Sequence, residues 1–351
     1  MELLPGVRRR DVQTDRIRMH LLEAGPNDGT PVVLVHGNLS TGRFFEHVMP
    51  ELAADGYRVL APDMRSFGRS DPAPIDATRG LDDWSDDLAA LLRALGIGAP
   101  PHLAGWSTGG GAIARFALAH PAASLTLIDP VGPYGYGGVR DDGTLVHPDG
   151  AGSGAGGANP EFVRRLREGD ASADSPFSIR SVMRQTYWSP AFRLPPERED
   201  VLVDEILLTT IGDGGYPGEV ASSPHWPGFA PGTTGLLNAL SPRYLRWDGI
   251  VDLAVKPPVL WTHGAADVVV ADGSMLEAGT LGRAGLIPGW PGEAEFPPQR
   301  MVAQIRTVLE RYADAGGAVR TEWFEGSGHG PLFDAEARWT RVFREFLGSA
   351  G

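Results

Sequence analysis

The fold of this chain is constrained most by four short segments in which nearly every residue is apolar. They lie at 31–35, 57–61, 102–106 and 124–128. Strands that are apolar on both faces are typically buried on both faces, as in a parallel sheet. Helical patterns at 81–95 and 108–120 lie between these segments, and strands that alternate with helices indicate βαβ units. The sequence therefore predicts an α/β fold.

The alternation stops after Asp129 and resumes at about residue 258. The chain between these points is rich in Gly, Pro and aromatic residues. Its helical patterns lie near 160–169, 176–188 and 196–211. We therefore predict one α/β core that is interrupted by an inserted, mainly helical lid. The predicted core comprises residues 1–131 and 250–351, and the predicted lid comprises residues 132–249.

Composition excludes several classes of protein. The chain has 47 Gly and 30 Pro among 351 residues, but 42% of its residues are hydrophobic and 21% are charged, which is too apolar for a disordered chain. The net charge of −13 is opposite to the basic surface that nucleic acids require, so we expect no nucleic-acid partner. The sequence has no run of about 18 apolar residues, so we predict no membrane span. Because cysteine and a signal-peptide pattern are both absent, we expect a cytoplasmic protein.

The strongest functional signal is the segment Gly105-Trp106-Ser107-Thr108-Gly109, between an apolar strand and a small-residue helix. A serine on a sharp strand-to-helix turn projects its hydroxyl from the carboxyl edge of the sheet, and the glycines relieve crowding in the turn. This context predicts that Ser107 is a nucleophile.

A serine nucleophile needs a base, and a carboxylate must orient that base. Of nine histidines, His329 alone lies in a glycine-rich loop after the last strand pattern, at the same edge of the sheet as Ser107. Asp267 follows the strand pattern at 258–264 and is our predicted acid. Asp129, which ends an earlier strand, stays open as the alternative acid.

An oxyanion hole needs two N–H donors. We assign one to Thr108, directly after the nucleophile, and the other to Asn38 in the loop after the first buried strand, with Leu39 as the next choice. The sequence contains no His-Glu-x-x-His segment and no close pair of histidines, so we predict no metal site.

Four landmarks together resemble the α/β-hydrolase fold superfamily. They are His36-Gly-Asn, Asp63-Met-Arg-Ser-Phe-Gly-Arg-Ser70, Gly-Trp-Ser107-Thr-Gly and Gly-His329. The resemblance implies an eight-stranded, mostly parallel sheet, a lid between strands six and seven, and no cofactor. Two features depart from the family. Ser66 stands where glycine is usual, and 62 positions separate Asp267 from His329, with the extra length in residues 278–299.

The resemblance implies a serine esterase or lactonase that acts on a small molecule through an acyl-enzyme. Haloalkane dehalogenases and epoxide hydrolases of this fold use aspartate as the nucleophile on the sharp strand-to-helix turn, which is called the elbow. Ser107 at this position argues against both activities. Carbon–carbon bond hydrolases and cofactor-free perhydrolases share the triad and remain alternatives. A non-catalytic ligand-binding protein is the alternative from another class, and a homo-oligomer is left open.

Aromatic residues in the predicted lid favour an apolar or aromatic substrate, although they equally suit the core of a small lid. They are Tyr134, Tyr136, Tyr187, Trp188, Tyr216, Trp226 and Phe229.

Overall fold

The computed structural model describes residues 2–350. Its strands, numbered in chain order, are β1 (Arg8–Gln13), β2 (Arg18–Ala24), β3 (Thr30–Val35), β4 (Tyr57–Pro62), β5 (His102–Trp106), β6 (Ser124–Ile128), β7 (Ile211–Gly212), β8 (Tyr216–Pro217), β9 (Val220–Ser222), β10 (Phe229–Pro231), β11 (Val259–Gly264) and β12 (Val319–Phe324). Its helices are α1 (Met49–Ala54), α2 (Asp82–Ala94), α3 (Thr108–Ala119), α4 (Pro160–Glu168), α5 (Ile179–Thr186), α6 (Pro196–Ile206), α7 (Leu236–Ala239), α8 (Ala278–Arg283), α9 (Met301–Asp314), α10 (Pro331–Asp334) and α11 (Glu336–Ser349).

Eight strands form one sheet in the order β1-β2-β4-β3-β5-β6-β11-β12. β2 runs antiparallel to both β1 and β4, and the remaining pairs are parallel. The predicted mostly parallel, eight-stranded α/β sheet is therefore confirmed. Its parallel strands β3, β5 and β11 end at the same edge, and the loops that follow them carry the predicted site residues.

The apolar segments became strands because both of their faces are covered. Every residue of β5, β6 and β11 is buried. Helix α2 covers the sheet through a stripe of buried residues that includes Trp84, Leu88 and Leu91. The burial of these side chains is the main stabilisation of the core, at roughly 25 cal/mol per Å² of apolar surface.

Among the core elements that lie outside the patterns of the sequence analysis are β1 and α9. β1 is an edge strand in which only Val12 is buried, so it lacks an apolar signal. α9 has a regular stripe of buried residues that includes Met301, Ile305 and Val308, and this stripe is a signal that could have been found. Because α9 is the helix between β11 and β12, the additional chain after Asp267 is confined to about residues 268–300.

Residues 132–249, called the insert from here on, leave the sheet after β6 and return before β11. Their regular structure is chiefly helical (α4 to α7), with two short two-stranded ribbons formed by β7 to β10. Most of the insert is turns and loops, as its glycine content requires. Of the helices between residues 2 and 350, none combines the length and apolar character needed to cross a bilayer.

Candidate active site

Ser107 occupies a strained turn between β5 and α3. Its backbone has φ 56° and ψ −117°, outside the regions that side chains other than glycine usually adopt. The turn is held by hydrogen bonds from Ser107 N–H to the Ile128 carbonyl (2.9 Å) and from Val131 N–H to the Ser107 carbonyl (3.0 Å). Such strain, of order 1–3 kcal/mol, persists only where the surroundings impose it. The elbow predicted from the sequence is present.

The glycines on either side of Ser107 are required by close backbone contacts. A Cβ on Gly105 would lie 2.3 Å from the Gly109 carbonyl oxygen, and a Cβ on Gly109 would lie 2.2 Å from the Val35 carbonyl oxygen. Real Cβ atoms essentially never come so close. The Gly-x-Ser-x-Gly spacing therefore lets α3 begin directly against β3 and β5.

The loop after β3 passes beside the nucleophile. A Cβ on Gly37 would lie 3.1 Å from the Ser107 Cβ atom. Within residues 2–350, the backbone N–H groups of Asn38, Leu39 and Thr108 have no hydrogen-bond acceptor. Unpaired N–H groups on both sides of a serine are what an oxyanion hole requires. Their role in stabilising an oxyanion stays a prediction.

His36 supports this loop through hydrogen bonds of both ring nitrogens. Its Nε2 accepts a hydrogen bond from Met64 N–H at 2.9 Å, so Nδ1 carries the proton and donates to the Gly37 carbonyl at 2.7 Å. Burial lowers the pKa of His36 to about 4, and the ring therefore stays neutral near pH 7. These contacts show that His36 shapes the turn after β3.

Tyr187, from the insert, holds the same loop from the other side. Its hydroxyl donates to the Leu39 carbonyl at 2.8 Å and approaches the Asn38 carbonyl at 3.2 Å. Its ring packs edge-on against Trp106, with the ring centroids 5.1 Å apart. Leu39 has a positive φ of 50°, so this conformation depends on its surroundings. The insert therefore contributes directly to the geometry beside Ser107.

We expect Tyr187→Phe to lower kcat roughly 5- to 30-fold, because one hydrogen bond worth about 1–2 kcal/mol no longer holds the loop of Asn38. Steady-state kinetics and thermal unfolding of the variant test this. Tyr244→Phe, which removes a hydroxyl elsewhere in the insert, is the matched control. An unchanged kcat in Tyr187→Phe would show that the loop holds its shape without the tyrosine.

The structure brings His329 and Asp267 together. His329 Nδ1 donates to Asp267 Oδ2 at 2.7 Å, and both residues are buried. The His329 carbonyl accepts a hydrogen bond from the Trp106 indole at 2.7 Å, which fixes its loop next to the residue that precedes Ser107. With Nδ1 committed to Asp267, Nε2 is the nitrogen that can exchange a proton.

Asp267 is well supplied with hydrogen-bond donors. Its Oδ1 accepts from Val269 N–H at 2.7 Å and from Val270 N–H at 3.1 Å, and its Oδ2 accepts from His329. A carboxylate with three donors is stabilised in its ionised form. This is the environment that a triad acid needs in order to hold a neighbouring imidazole in one tautomer.

The alternative acid, Asp129, lies behind Asp267. Its Oδ1 accepts from Gly264 N–H at 2.8 Å, and no hydrogen bond joins it to His329 within residues 2–350. Geometry therefore favours Asp267 over Asp129 as the partner of the histidine. The catalytic roles of both residues stay predictions.

The Ser107 hydroxyl makes no hydrogen bond with His329 or with any other residue from 2 to 350. In unliganded enzymes the contact between nucleophile and base is often long and tightens only with substrate. The strained turn positions Ser107, and hydrogen bonds with Asp267 and Trp106 position His329. We expect the hydrogen bond between the serine hydroxyl and the histidine to form when substrate binds.

A second carboxylate, which was not predicted from the sequence, holds the histidine loop. Asp334 Oδ2 accepts from Gly328 N–H and from Ser189 N–H, each at 2.8 Å, and its Oδ1 is bonded to the Ser327 hydroxyl. Asp334 thereby ties the loop of His329 to the insert. Asp334 is the last residue of α10, where an acidic residue is ordinary, so only the fold shows its contacts.

One group of possible metal ligands occurs among residues 2–350. Single donor atoms of Asp129, His263 and Asp267 lie within 4.8 Å of one another. The proximity of these three residues was not predicted from the sequence. Because Asp267 Oδ2 is bonded to His329 and Asp129 Oδ1 is bonded to Gly264, we interpret the group as a hydrogen-bonded cluster.

Comparison with known proteins agrees with this architecture. Residues 30–147 match the family model described as the alpha/beta hydrolase fold. An esterase from Exiguobacterium antarcticum has a similar structure, with a TM-score of 0.61, 18% identity, and coverage of 97% of this chain and 100% of the esterase. The chain has the α/β-hydrolase fold. The predicted resemblance to this family is confirmed over residues 30–147, and the likeness of structure at this identity shows the fold alone.

Curated relatives of this α/β-hydrolase-fold chain match it over shorter stretches. A haloalkane dehalogenase from Mycobacterium marinum is 52% identical over 58 residues, which is 16% of this chain and 20% of the dehalogenase. A non-heme chloroperoxidase from Streptomyces lividans is 39% identical over 112 residues, which is 31% of this chain and 40% of the peroxidase. The chain thus matches well under half the length of these relatives, whose named activities differ.

The family loop at residues 63–70 supports the site without entering it. Asp63 accepts hydrogen bonds from Gly42 N–H and Arg69 N–H, each at 2.9 Å, and burial raises its pKa to about 6. Ser66, at the position where glycine is usual, has φ 66° and donates its hydroxyl to the Ala73 carbonyl at 2.8 Å. Ser66 therefore adopts the left-handed backbone conformation that glycine would provide at this position.

The chain after Asp267 packs against the insert. The Tyr136 hydroxyl donates to the Val269 carbonyl at 2.8 Å, and the Trp226 indole donates to the Pro288 carbonyl at 2.9 Å. The stretch at 278–299, which holds the extra length before His329, is thus joined to the insert. Whether the two segments line a substrate pocket stays a prediction.

Proposed function

We propose that this chain is a serine hydrolase that cleaves a carboxylic ester or lactone through an acyl-enzyme. The observation that carries the proposal is the 2.7 Å hydrogen bond from His329 to Asp267, in a loop tied to the elbow of Ser107. A histidine with one nitrogen fixed by a carboxylate has its other nitrogen available as a base. A serine on a strained turn beside it is the corresponding nucleophile.

In the acylation step, His329 Nε2 takes the proton of the Ser107 hydroxyl as the oxygen attacks the ester carbonyl. The carbonyl oxygen becomes an oxyanion that the N–H groups of Asn38 and Thr108 stabilise. The protonated His329 stays paired with the Asp267 carboxylate. When the carbon–oxygen bond breaks, His329 gives its proton to the leaving alkoxide, and the alcohol departs.

In the deacylation step, a water molecule gives a proton to His329 and attacks the acyl carbon bonded to Ser107. The same oxyanion donors stabilise the second tetrahedral intermediate. His329 then returns the proton to the serine oxygen as the acid leaves. The cycle balances without a cofactor, because water supplies the hydroxide and the proton that the two products require.

We assign the substrate to the apolar or aromatic class. The surroundings of the elbow are aromatic: the Trp106 ring lies 5.1 Å from Tyr187, 5.5 Å from Phe333 and 5.8 Å from Phe44, measured between centroids. Apolar, aromatic surroundings with few polar groups are typical of small-molecule sites. The esterase named above, which is similar in fold, agrees with ester cleavage.

A second candidate is perhydrolysis by the same acyl-enzyme. The similarity to a chloroperoxidase described as non-heme favours it. Hydrogen peroxide would replace water in the deacylation step and release a peroxy acid, with His329 handling the proton in the same way. The chemistry up to the acyl-enzyme is shared, so the two candidates differ only in the second nucleophile.

The test combines active-site labelling with a substrate panel. We expect a fluorophosphonate to label folded protein at Ser107, as mapped by peptide mass spectrometry, and heat-unfolded protein to stay unlabelled. Aryl esters, aliphatic esters, lactones and vinylogous diketones are then assayed with and without hydrogen peroxide. Absence of labelling in folded protein would contradict the enzyme and favour a ligand-binding protein, and cleavage of diketones alone would indicate a carbon–carbon hydrolase.

A further inference from the structure

A second buried acid lies behind the proposed triad and has no evident counter-charge. Asp129 and Asp267 are both buried, and donor atoms of Asp129, Asp267 and His263 lie within 4.8 Å of one another. Two carboxylates at such a distance cannot both ionise without a large cost, so one of them tends to hold a proton.

Hydrogen bonds identify which carboxylate holds it. Asp267 accepts three N–H donors, from Val269, Val270 and His329, whereas Asp129 accepts only one, from Gly264. The other oxygen of Asp129, Oδ2, is buried and has no hydrogen-bond partner within residues 2–350. The anion is therefore better stabilised on Asp267, and the unpaired oxygen of Asp129 is the place for a proton.

His263 cannot supply the missing proton. Its Nε2 lies 3.1 Å from the Val270 carbonyl, which can only accept, so Nε2 carries the hydrogen of this ring. Burial lowers the pKa of His263 to about 4, which leaves Nδ1 unprotonated near pH 7. His263 Nδ1 lies 3.5 Å from Asp129 Oδ1. Both atoms are hydrogen-bond acceptors, so no hydrogen bond joins them, and Nδ1 has no partner within residues 2–350.

We propose that Asp129 is a protonated carboxylic acid that donates a hydrogen bond to the Asp267 carboxylate and is a positioning residue for the triad acid. The proposal rests on the proposed function, because it assigns to Asp267 the task of orienting His329. One proton on Asp129 then satisfies its own Oδ2 and stabilises the anion beside it. An apolar side chain at position 129 would remove this hydrogen bond, so the Asp267 carboxylate would be less stabilised and less firmly oriented.

The electrostatic surroundings agree with this assignment. Burial is the largest cause that raises the pKa of Asp129 well above its usual range, and the negative charge of Asp267 is the second. The negative charge of Asp334 raises this pKa further. The ionisable groups near the pair include His263, His329, Asp334 and Tyr136, and His263 in turn faces Asp272. No arginine or lysine in residues 2–350 forms an ion pair with Asp129.

The direct test is infrared difference spectroscopy at neutral pH. We expect wild type minus Asp129→Asn to contain the carbonyl-stretching band of a protonated carboxylic acid. Wild type minus Asp334→Asn is the matched control and should lack the band, because Asp334 accepts three hydrogen bonds. Absence of the band for Asp129 would overturn the proposal whether or not the protein cleaves esters.

Kinetics provide the second readout, with Asn and Leu as a pair of variants at position 129. Asn keeps an N–H donor, whereas Leu has a similar volume and none. We expect kcat of Asp129→Leu to fall roughly 10- to 100-fold below that of Asp129→Asn, with a smaller change in KM. Equal kcat values in the two folded variants, or loss of wild-type activity on dialysis against a chelator, would contradict a donated proton.

Stability against pH gives a third readout that needs no substrate. Folded Asp129 keeps a proton that the unfolded chain releases above about pH 4. The folded state therefore binds more protons than the unfolded state in this range, and stability falls as pH rises. We expect the free energy of unfolding of wild type to decrease relative to Asp129→Asn from pH 4 upward, and the opposite slope would overturn the proposal.

These readouts separate the two proposals. If the infrared band is present and no substrate is cleaved, the proton on Asp129 stands and the proposed function falls. If esters are cleaved through Ser107 and the band is absent, only the assignment of Asp129 falls.

Discussion

Ser107→Ala should lower kcat for the best ester substrate by about 10⁴- to 10⁶-fold and abolish labelling by a fluorophosphonate. The variant loses the atom that forms the acyl-enzyme, whereas the N–H groups of Asn38 and Thr108 stay in place. The residual rate should therefore exceed that of the uncatalysed reaction. Single-turnover kinetics and intact-protein mass spectrometry measure both effects.

The fold should survive this substitution. The Ser107 hydroxyl makes no hydrogen bond within residues 2–350, and alanine has the same Cβ in the strained turn, so the unfolding midpoint should shift by no more than a few degrees. Ser222→Ala, an exposed serine in β9, is the matched control and should keep wild-type kinetics. An active and labelled Ser107→Ala would mean that another residue is the nucleophile.

Asp267→Asn should have the second-largest effect, a fall in kcat of about 10⁴-fold near neutral pH. The amide carries no charge to stabilise the imidazolium of His329. It can also present its NH2 group to the ring and favour the wrong tautomer. Binding of the substrate does not use this carboxylate, so KM should change much less than kcat.

The comparison that decides the acid is Asp267→Asn against Asp129→Asn. We expect the first to be far less active than the second, since only Asp267 is hydrogen-bonded to His329. Circular dichroism should show both variants folded. A near-wild-type rate in Asp267→Asn, together with a large loss in Asp129→Asn, would reassign the acid to Asp129.

Much of the site could be predicted because local sequence dictates it. The contacts of Gly105 and Gly109 leave no room for a side chain, so the elbow needs glycine at both positions and is recognisable in the sequence. The contact between His329 and Asp267 agrees with the predicted pairing of base and acid. By contrast, α9 was not predicted, although its apolar stripe is regular.

The rest of the site depends on contacts between residues far apart in the chain. Nothing local to Tyr187 indicates that its hydroxyl reaches the carbonyl of Leu39, 148 positions away. Asp334 has the same character, since its partners Gly328 and Ser189 meet only when the insert folds against the last loop. The pairing of Asp129 with Asp267 arises because β6 and β11 are neighbours in the sheet.

The sequence by itself determined the α/β fold and the elbow of Ser107, because buried strands and a glycine-flanked turn have local signatures. It also narrowed the acid to Asp267 and Asp129, the two carboxylates that end strands at the right edge. Only the tertiary structure shows which of the two is hydrogen-bonded to His329, since this depends on which carboxylate the folded loop of His329 reaches. The proposed charge balance of the pair likewise depends on the tertiary structure, because the ionisation of a buried acid is governed by the donors and charges that distant segments bring to it.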